Sequence, residues 1–317
     1  MKLQTKVDFE QPCENLIDYQ SKVFSIGSCF SVNIGNKLSY FKFDILQNPF
    51  GILFHPLAIE NFIGRSLSNR LYTLEDIQQL NGQFFSFDAH SEMNQLDKFI
   101  LLEQLNKAVK RGNHQLQKAS HILITLGTAW VYRHKTTNQI VANCHKVPQK
   151  HFDKELLSIE AIQQSLTKIT AAIHAKNPKA ELIFTVSPVR HIKNGVIENN
   201  RSKSNLISAV HNVVEHTKSL HYFPSYEIQM DELRDYRFYE NDMIHPSNLA
   251  IEYIWAIFKS KWIDSKVFST MTEIDSIQKG LAHKPFQENS EAHQKFKTKL
   301  SVKINRIQQQ FPYINFE

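Results

Sequence analysis

Several features that mark specialised classes of protein are missing from this sequence. No run of about 18 or more apolar residues is present, so we expect no transmembrane helix. The segment Met1 to Gln11 is mixed and polar and lacks the basic-then-apolar pattern of a signal peptide. No internal repeat or low-complexity block is evident. These absences favour an ordinary globular protein that does not enter a membrane.

Cysteine is scarce, and its spacing matches no metal motif. Cys13, Cys29 and Cys144 form an odd set, and neither a CxxC nor an HExxH pattern occurs. The simplest interpretation is a set of reduced thiols in the cytoplasm. We therefore predict no metal site and no cofactor, and a cytoplasmic location.

The positive charge is not concentrated. The net charge of +6 is spread along the 317 residues, and no basic run is interleaved with aromatics. Binding to nucleic acid is therefore not expected. The hydrophobic content of 42% is ordinary for a protein with a full core. The length fits one large α/β domain with additions, or two domains.

The stretch from Lys22 to Phe30 carries the strongest local signal. A short apolar run leads into Gly27, and a helical pattern begins directly after it. This predicts that Ser28 and Cys29 lie at the carboxyl edge of a sheet and at a helix N-terminus, where negative charge is favoured. We expect a lowered thiol pKa there. The alternative is a plain corner with a buried cysteine and a capping serine.

The rest of the chain alternates between predicted strands and helices. Most of the predicted strands end in small or polar residues. This pattern predicts an α/β fold with three layers and a doubly wound, mostly parallel sheet. The predicted strands cover residues 22–27, 41–46, 121–126, 181–186 and 221–223, and the predicted helices cover about 28–40, 55–63, 95–118, 156–175, 199–218 and 247–258.

The end of this pattern holds a carboxylate and an imidazole. Asp242 and His245 are three residues apart, and that spacing lets the carboxylate bond to one ring nitrogen and leave the other free as a base. Alone, such a pair is often a helix cap beside a surface histidine. A third hypothesis makes Asp242 and His245 the ligands of a metal-dependent hydrolase.

Six motifs together resemble the GSCFA-domain family, which is itself similar to the SGNH/GDSL hydrolase superfamily. They lie within roughly residues 20–262 and are Ile26-Gly27-Ser28-Cys29-Phe30-Ser31, Asn48-Pro49-Phe50-Gly51, Leu126-Gly127-Thr128-Ala129-Trp130, Asn143-Cys144-His145-Lys146, Ser187-Pro188-Val189-Arg190-His191 and Asp242-Met243-Ile244-His245-Pro246-Ser247. The resemblance implies a catalytic triad in which Asp242 orients His245. It places Cys29 in the position of the nucleophilic serine. Cys29 is the favoured nucleophile, and Ser28, one residue earlier, is the alternative.

The resemblance also implies an oxyanion hole. Gly51 matches the glycine of that hole, and Gly127 opens the block that normally supplies an asparagine. Ala129 stands where that asparagine is expected, and the loss of one such donor typically costs about 3 kcal/mol of transition-state stabilisation. Asn143 or Asn48 would have to replace it.

Basic residues near the predicted strand ends are candidates for binding an anionic or sugar substrate. They are Arg190, His191, Lys203 and Arg237. Surface ion pairs are the alternative, and we expect them for each of these residues except Arg190. The aromatic-rich residues 70–93 are either a lid or a loop packed on the core.

The expected function is that of an esterase-like acyl hydrolase, such as a carbohydrate O-acetyl esterase, or an acyltransferase. The rival is a non-catalytic module that binds a ligand or glycan on the same fold. The expected partner is a small-molecule or carbohydrate ester. We predict an α/β domain over residues 1–264 and a helical extension over 265–317. One apolar face of this helical extension comprises Phe296, Leu300, Ile304, Ile307 and Phe311. We expect this face to pack on the core, and the alternative is that it forms the contact of a homodimer.

Overall fold

The computed structural model of the protein describes residues 4–9, 13–215, 217–284 and 290–316. The strands are β1 (Lys22–Gly27), β2 (Asp44–Gln47), β3 (Gln78–Leu80), β4 (Gln83–Phe85), β5 (His121–Leu126), β6 (Trp130–His134), β7 (Ile140–Val141), β8 (Phe152–Leu156), β9 (Glu181–Val186) and β10 (Leu220–Tyr222). The helices are α1 (Cys29–Tyr40), α2 (Pro56–Leu67), α3 (Lys98–Lys118), α4 (Ile159–Lys176), α5 (Val196–Val214), α6 (Ser225–Glu227), α7 (Asn248–Trp262), α8 (Phe268–Ala282) and α9 (Glu291–Gln310).

A parallel sheet of five strands forms the centre of the fold, in the order β2-β1-β5-β9-β10. The chain leaves β1 towards β2 on one side and continues from β5 to β9 and β10 on the other, so the strand order reverses between β1 and β5. In doubly wound sheets, the carboxyl ends of the strands at such a point form a crevice where ligands bind. The predicted α/β class with a mostly parallel sheet is confirmed.

Two apolar layers cover the two faces of this sheet. Because strand side chains alternate between faces, Ile122 and Ile124 join one core while Leu123 joins the other. Helices α2, α3, α4 and α5 cover the first face, and α1, α7 and α8 cover the second. Each fully buried side chain of this size stabilises the fold by about 2 kcal/mol. The two cores enclose both faces of the sheet and leave the strand ends at its edges.

Two small antiparallel sheets project from the carboxyl side of the fold, β3-β4 and β7-β6-β8. The helix predicted over about 156–175 is α4, which begins at Ile159, and the residues just before it, Phe152–Leu156, form a strand paired with β6. Arg133 on β6 donates two hydrogen bonds to the Glu155 carboxylate at 2.6 and 3.0 Å. This pairing with a distant strand decides the conformation of a segment that has no strong pattern of its own.

The chain ends in helices that pack on the second core. Ile274 of α8 and Ile307 of α9 are buried there, as is Phe311 just after α9. Leu300 and Ile304 are partly buried against the same core, while Phe296 remains 38% exposed. In the described residues, no helix has the length and apolar character needed to cross a bilayer. The boundary at residue 264 remains a prediction.

Candidate functional site

The turn from β1 into α1 is built on Gly27. Its φ of +139° is unfavourable for residues with a side chain, and a Cβ there would lie 2.1 Å from the backbone oxygen of Thr125. The Gly27 N–H donates to Asn48 Oδ1 at 2.9 Å, and the Ser28 N–H donates to Thr125 O at 3.0 Å. These contacts fix the start of α1 at the end of β1, as the sequence predicts.

Ser28 and Cys29 have different surroundings in this turn. Ser28 is 0% exposed, and its Oγ is buried without a hydrogen-bond partner. It packs against Gly127, where an added Cβ would lie 2.9 Å from the Ser28 Cβ. Cys29 is the first residue of α1 and is only partly buried. Of the two candidate nucleophiles, Cys29 is the one that a substrate can approach.

The thiol of Cys29 does not have the lowered pKa that we expected from its helix position. Burial is the largest influence and raises the pKa, while the backbone N–H of Cys29 itself lowers it. Glu92 raises the pKa further, and Lys203 lowers it. The prediction was wrong because it counted the helix N-terminus and neglected the loss of hydration around the sulfur atom.

Asp242 and His245 form the hydrogen-bonded pair that their spacing predicts. His245 Nδ1–H donates to Asp242 Oδ2 at 2.7 Å, and the N–H groups of Ile244 and His245 donate to Asp242 Oδ1 at 2.8 and 3.0 Å. These three bonds, with the side-chain bond to His245 as the largest cause, lower the pKa of Asp242 to about 2. The carboxylate therefore stays ionised and leaves Nε2 of His245 as a proton acceptor.

The imidazole of His245 lies on the open side of this edge. Its side chain is 46% exposed, and its Nε2 makes no hydrogen bond to Ser28 or Cys29 within the described structure. The loop that carries it is joined to the end of β9, because the Arg190 N–H donates to Ile244 O at 3.2 Å. In unliganded sites, catalytic hydrogen bonds are often long or absent until substrate binds.

His191 lies between this outer pair and the sheet. Its N–H donates to Asn199 Oδ1 at 2.8 Å, and its Nε2 is buried with no hydrogen-bond partner. A Cβ added to Gly127 would lie 3.2 Å from that nitrogen. Burial first, and then the charges of Lys203 and His245, lower the pKa of His191 to about 3. His191 is therefore a neutral imidazole at physiological pH, directed into the site.

The residues expected to form the oxyanion hole already have other partners. The Gly51 N–H donates to Asn48 O at 2.8 Å, and Asn48 Nδ2 donates to Ser31 Oγ at 2.8 Å. Ala129 is 0% exposed, and its N–H donates to Ser202 Oγ at 2.7 Å. Asn143 Oδ1 accepts the N–H of His145 at 2.8 Å. Among the described residues, the donors that remain are Nδ2 of Asn143 and the N–H groups of Cys29 and Phe30 at the start of α1, because the Ser31 N–H already donates to Ser28 O at 2.8 Å.

A cavity of about 340 Å³ opens beside His191. Aromatic and amide side chains make up much of its lining. Its lining includes Phe54, Trp130, Tyr132, Asn143, Gln149 and Asn194. The Gly127 and Thr128 N–H groups both donate to Phe54 O, which joins the wall of the cavity to the end of β5. The cavity is large enough for a small ligand next to the strand ends.

Lys203 is the functional candidate whose placement the sequence analysis missed. We expected it on the surface, but it is 1% exposed, and its Nζ donates to Gly127 O at 2.8 Å and Ser187 O at 2.6 Å. Burial lowers its pKa to about 7, opposed by the charge of Cys29. The burial of Lys203 could have been predicted from the helical spacing of its neighbours. Lys203 follows Asn199 by four residues and precedes Leu206 by three, so the three residues share the buried face of α5.

The other basic candidates have structural partners. The Arg190 guanidinium stacks 4.2 Å from the centre of the Tyr239 ring. Arg237 is exposed and donates to the Asp235 carboxylate at 2.9 Å, as expected of a surface ion pair. Residues 70–93 are packed on the core only in part. Tyr72 and Phe85 are buried and the His90 N–H donates to Phe50 O, whereas residues 73–75 and 81–83 are exposed.

At the opposite edge of the sheet, a second group holds potential metal ligands. Among the described residues, Cys13, Glu181 and His221 bring one ligand atom each within 4.8 Å of one another. His221 Nε2 and Glu181 Oε2 are already hydrogen bonded at 2.7 Å. Asp242 and His245, the proposed ligands of the metal-hydrolase hypothesis, are not part of that group.

Comparison with known families supports the motif-based resemblance over most of the chain. The GSCFA family matches residues 22–258, and the C-terminal domain of GSCFA domain proteins matches residues 274–317. No curated protein matches the chain. The first match begins at β1, ends within α7 and includes both edges of the sheet described above. The chain therefore belongs to the GSCFA family.

Proposed function

We propose that this protein is an acyl hydrolase or acyltransferase of the SGNH/GDSL type, with Cys29 as its nucleophile. The observation that carries the proposal is the placement of a reachable thiol at the start of α1 and of the His245–Asp242 pair at one sheet edge. That edge includes the point where the strand order reverses. A thiol, an imidazole and an orienting carboxylate are the parts needed for acyl transfer.

In the proposed reaction, the sulfur of Cys29 attacks the carbonyl carbon of an ester. The carbonyl oxygen becomes an oxyanion held by the first-turn N–H groups of α1. The C–O bond to the alcohol then breaks, the alcohol leaves with the proton that the Cys29 thiol gave up, and a thioester remains on Cys29. Water or a second alcohol attacks that thioester, and Nε2 of His245 takes the proton from the attacking oxygen. The C–S bond then breaks, the acid or the new ester leaves, and the proton passes from His245 to the Cys29 sulfur.

Carbohydrate esters are the substrate class that the cavity favours. Trp130 and Tyr132 provide ring surfaces on which the apolar face of a sugar can pack. Asn143, Gln149 and Asn194 provide amide donors and acceptors for sugar hydroxyls. In this proposal the sugar occupies the cavity beside His191, and its acyl group points to Cys29.

A non-catalytic binding module is the second candidate, and Ala129 favours it. The residue in the place of the oxyanion asparagine has no side-chain donor and is completely buried. The Gly51 N–H and the Asn48 amide are also engaged elsewhere. A site with so few oxyanion donors would bind an acylated sugar and turn it over slowly or not at all.

Hydrolysis assays with short acyl esters and acetylated sugars separate the two candidates. Cys29→Ala and His245→Ala should abolish turnover, whereas Ser28→Ala should retain it. Intact-mass analysis of His245→Ala should also detect a thioester on Cys29, because the second half of the reaction is slowed. Full activity in both Cys29→Ala and Ser28→Ala would end the enzymatic proposal. Binding without turnover in the wild type would favour the module.

A further inference from the structure

The side chain that the proposed reaction leaves unexplained is the buried lysine beneath the site. Nζ of Lys203 donates to Gly127 O, at the end of β5, and to Ser187 O, at the end of β9. Within the described residues, no carboxylate lies at ion-pair distance from it. An ammonium group buried without a counter-ion costs several kcal/mol, so a purely structural role is an expensive use of lysine.

Lys203 contacts a residue that packs against the turn carrying the proposed nucleophile. Gly127, whose carbonyl accepts from Nζ, packs against the side chain of Ser28, and Cys29 follows directly. The ionisable groups that face Lys203 come from three elements. They are Cys29 of α1, His191 after β9, and Tyr226 of α6, whose ring centre lies 5.7 Å from Nζ. Of these, the Cys29 thiolate is the one negatively charged group that favours a positive charge on Lys203, and the face of the Tyr226 ring favours it more weakly.

We propose that Lys203 is the group that accepts the proton of the Cys29 thiol, so that the partly buried Cys29 and the buried Lys203 form a thiol–amine pair. In its uncharged form, the Lys203 amine donates its two hydrogens to Gly127 O and Ser187 O. Its nitrogen lone pair then points in a third direction and can accept a proton. Once protonated, it has three donors, two of which already have acceptors in place. The two strand-end carbonyls therefore stabilise the ammonium group at the moment when the thiolate forms.

This inference rests on the proposed function, because it takes Cys29 as the nucleophile, and it divides the proton transfers between two bases. The S–H bond of Cys29 breaks, an N–H bond forms on Lys203, and the sulfur electron pair attacks the ester carbon. When the C–O bond breaks, the leaving alcohol takes that proton. His245, on the exposed side, then serves the second half, in which it takes a proton from the incoming water or alcohol and returns it to the Cys29 sulfur.

The test measures thiol ionisation directly and needs no substrate. The wild-type chain is alkylated with iodoacetamide from pH 5 to 10, and mass spectrometry reports the rates at Cys13, Cys29 and Cys144 separately. Lys203→Met should lower the Cys29 rate at pH 7.5 about tenfold or more, since each unit of thiol pKa changes the thiolate fraction tenfold. The rates at Cys13 and Cys144 should not change. Lys168→Met, which removes an exposed lysine of α4, should leave all three rates unaltered.

His245→Ala provides the decisive contrast. If Lys203 is the base for the thiol, His245→Ala leaves the pH profile of Cys29 alkylation in place and reduces only ester turnover. If His245→Ala shifts that profile and Lys203→Met does not, the assignment to Lys203 is wrong. The assignment to Lys203 is also wrong if a folded Lys203→Met protein shows the same pH profile of Cys29 alkylation as the wild type. Failure of ester hydrolysis with the predicted alkylation result would instead overturn the proposed function and leave the thiol–amine pair standing.

A second measurement covers the case in which Lys203→Met does not fold. The Lys203 Cε resonance of the wild type, labelled with ¹³C on lysine, should titrate near neutral pH. In Cys29→Ser the midpoint should move, because the sulfur that exchanges the proton is gone. An unchanged Lys203 titration in Cys29→Ser would show that the two groups are independent and would refute the proposal.

Discussion

The two edges of the central sheet carry the same kinds of side chain and use them differently. Each edge has a cysteine, a histidine and a carboxylate, namely Cys29, His245 and Asp242 at the carboxyl edge and Cys13, His221 and Glu181 at the amino edge. Both histidines contact their carboxylate at 2.7 Å. Residue type and pair geometry therefore do not distinguish a reactive site from a structural cluster in this fold.

Access and surroundings make the difference between the two edges. The His245 side chain is 46% exposed, whereas that of His221 is 6% exposed, and its ring packs edge-on against Trp262. Cys29 begins a helix of twelve residues at the carboxyl end of β1, while Cys13 precedes β1 and donates its S–H to Asn15 O. The comparison teaches that the histidine–carboxylate pair is enclosed at the amino edge and open to solvent at the carboxyl edge, whereas the cysteines of both edges are partly buried.

The largest expected effect concerns the two cysteines. Cys29→Ala should lower kcat/KM for a short acyl ester by about 10³-fold or more, because the covalent route is lost. Cys13→Ala should keep kcat/KM within about twofold, because its sulfur belongs to the other edge. Steady-state assays of both variants, with circular dichroism to verify folding, check the prediction. Equal losses in the two variants would break the distinction between the edges.

The second prediction concerns stability, where we expect the amino edge to matter more than the carboxyl edge. His221→Ala should lower the free energy of unfolding by about 2–4 kcal/mol, because it removes a buried ring and leaves Glu181 without its partner. His245→Ala should change it by less than about 0.5 kcal/mol, since exposed side chains contribute little. Urea denaturation measures both. A stability loss in His245→Ala as large as that in His221→Ala would contradict this division.

The third prediction uses pH to examine the buried lysine at the carboxyl edge. The pKa of Lys203 is about 7 in the folded chain, whereas a lysine exposed to water in the unfolded chain has its usual pKa of 10.5. Between pH 7 and pH 10.5, the unfolded chain therefore holds a proton on Lys203 that the folded chain lacks. The wild type should therefore gain stability relative to Lys203→Met as pH rises through this range. From pH 6 to pH 9 the gain should be about 2–3 kcal/mol.

Paired urea titrations at those two pH values measure this difference, and Lys168→Met is the control. The stability difference between the wild type and Lys168→Met should not vary with pH beyond about 0.3 kcal/mol, because Lys168 is exposed. A flat difference for Lys203→Met would show that the lysine keeps its proton in the folded chain throughout this range.

The smallest expected effect concerns the cavity. Trp130→Ala should raise KM for an acetylated sugar about fivefold, with less effect on an acetyl ester that lacks the sugar, because a ring surface contributes about 1 kcal/mol. Phe99→Ala removes an exposed aromatic of α3 outside the cavity lining and should leave both values unchanged. Equal KM changes for both esters would argue against a sugar in the cavity.

Local pattern was sufficient for much of the fold. The apolar runs at residues 121–126 and 181–186 predicted β5 and β9 to the residue, and His55-Pro56 predicted the start of α2, where His55 Nδ1 accepts the Ala58 N–H. The spacing of Asp242 and His245 predicted their hydrogen bond. Each of these depends on neighbours within a few residues, so the information is in the local sequence.

Other properties depended on residues far apart in the chain. Strand β8 exists because β6 pairs with it. The pKa of Cys29 follows from burial by distant segments, and Ser28 is closed off by Gly127, about a hundred residues later. Lys203 is buried against carbonyls from two other strands, which only the assembled sheet brings together.

By itself, the sequence determined the order of the five central strands and the long helices, the Gly27 turn and the His245–Asp242 pair, because backbone sterics, side-chain period and short-range hydrogen bonds act along the chain. Only the tertiary structure decided which of two similar edges is open, which of two adjacent nucleophiles is reachable, and which lysine lies beneath it. Burial and electrostatic coupling are properties of three-dimensional neighbours, and those neighbours are set by how the two apolar layers close over the sheet.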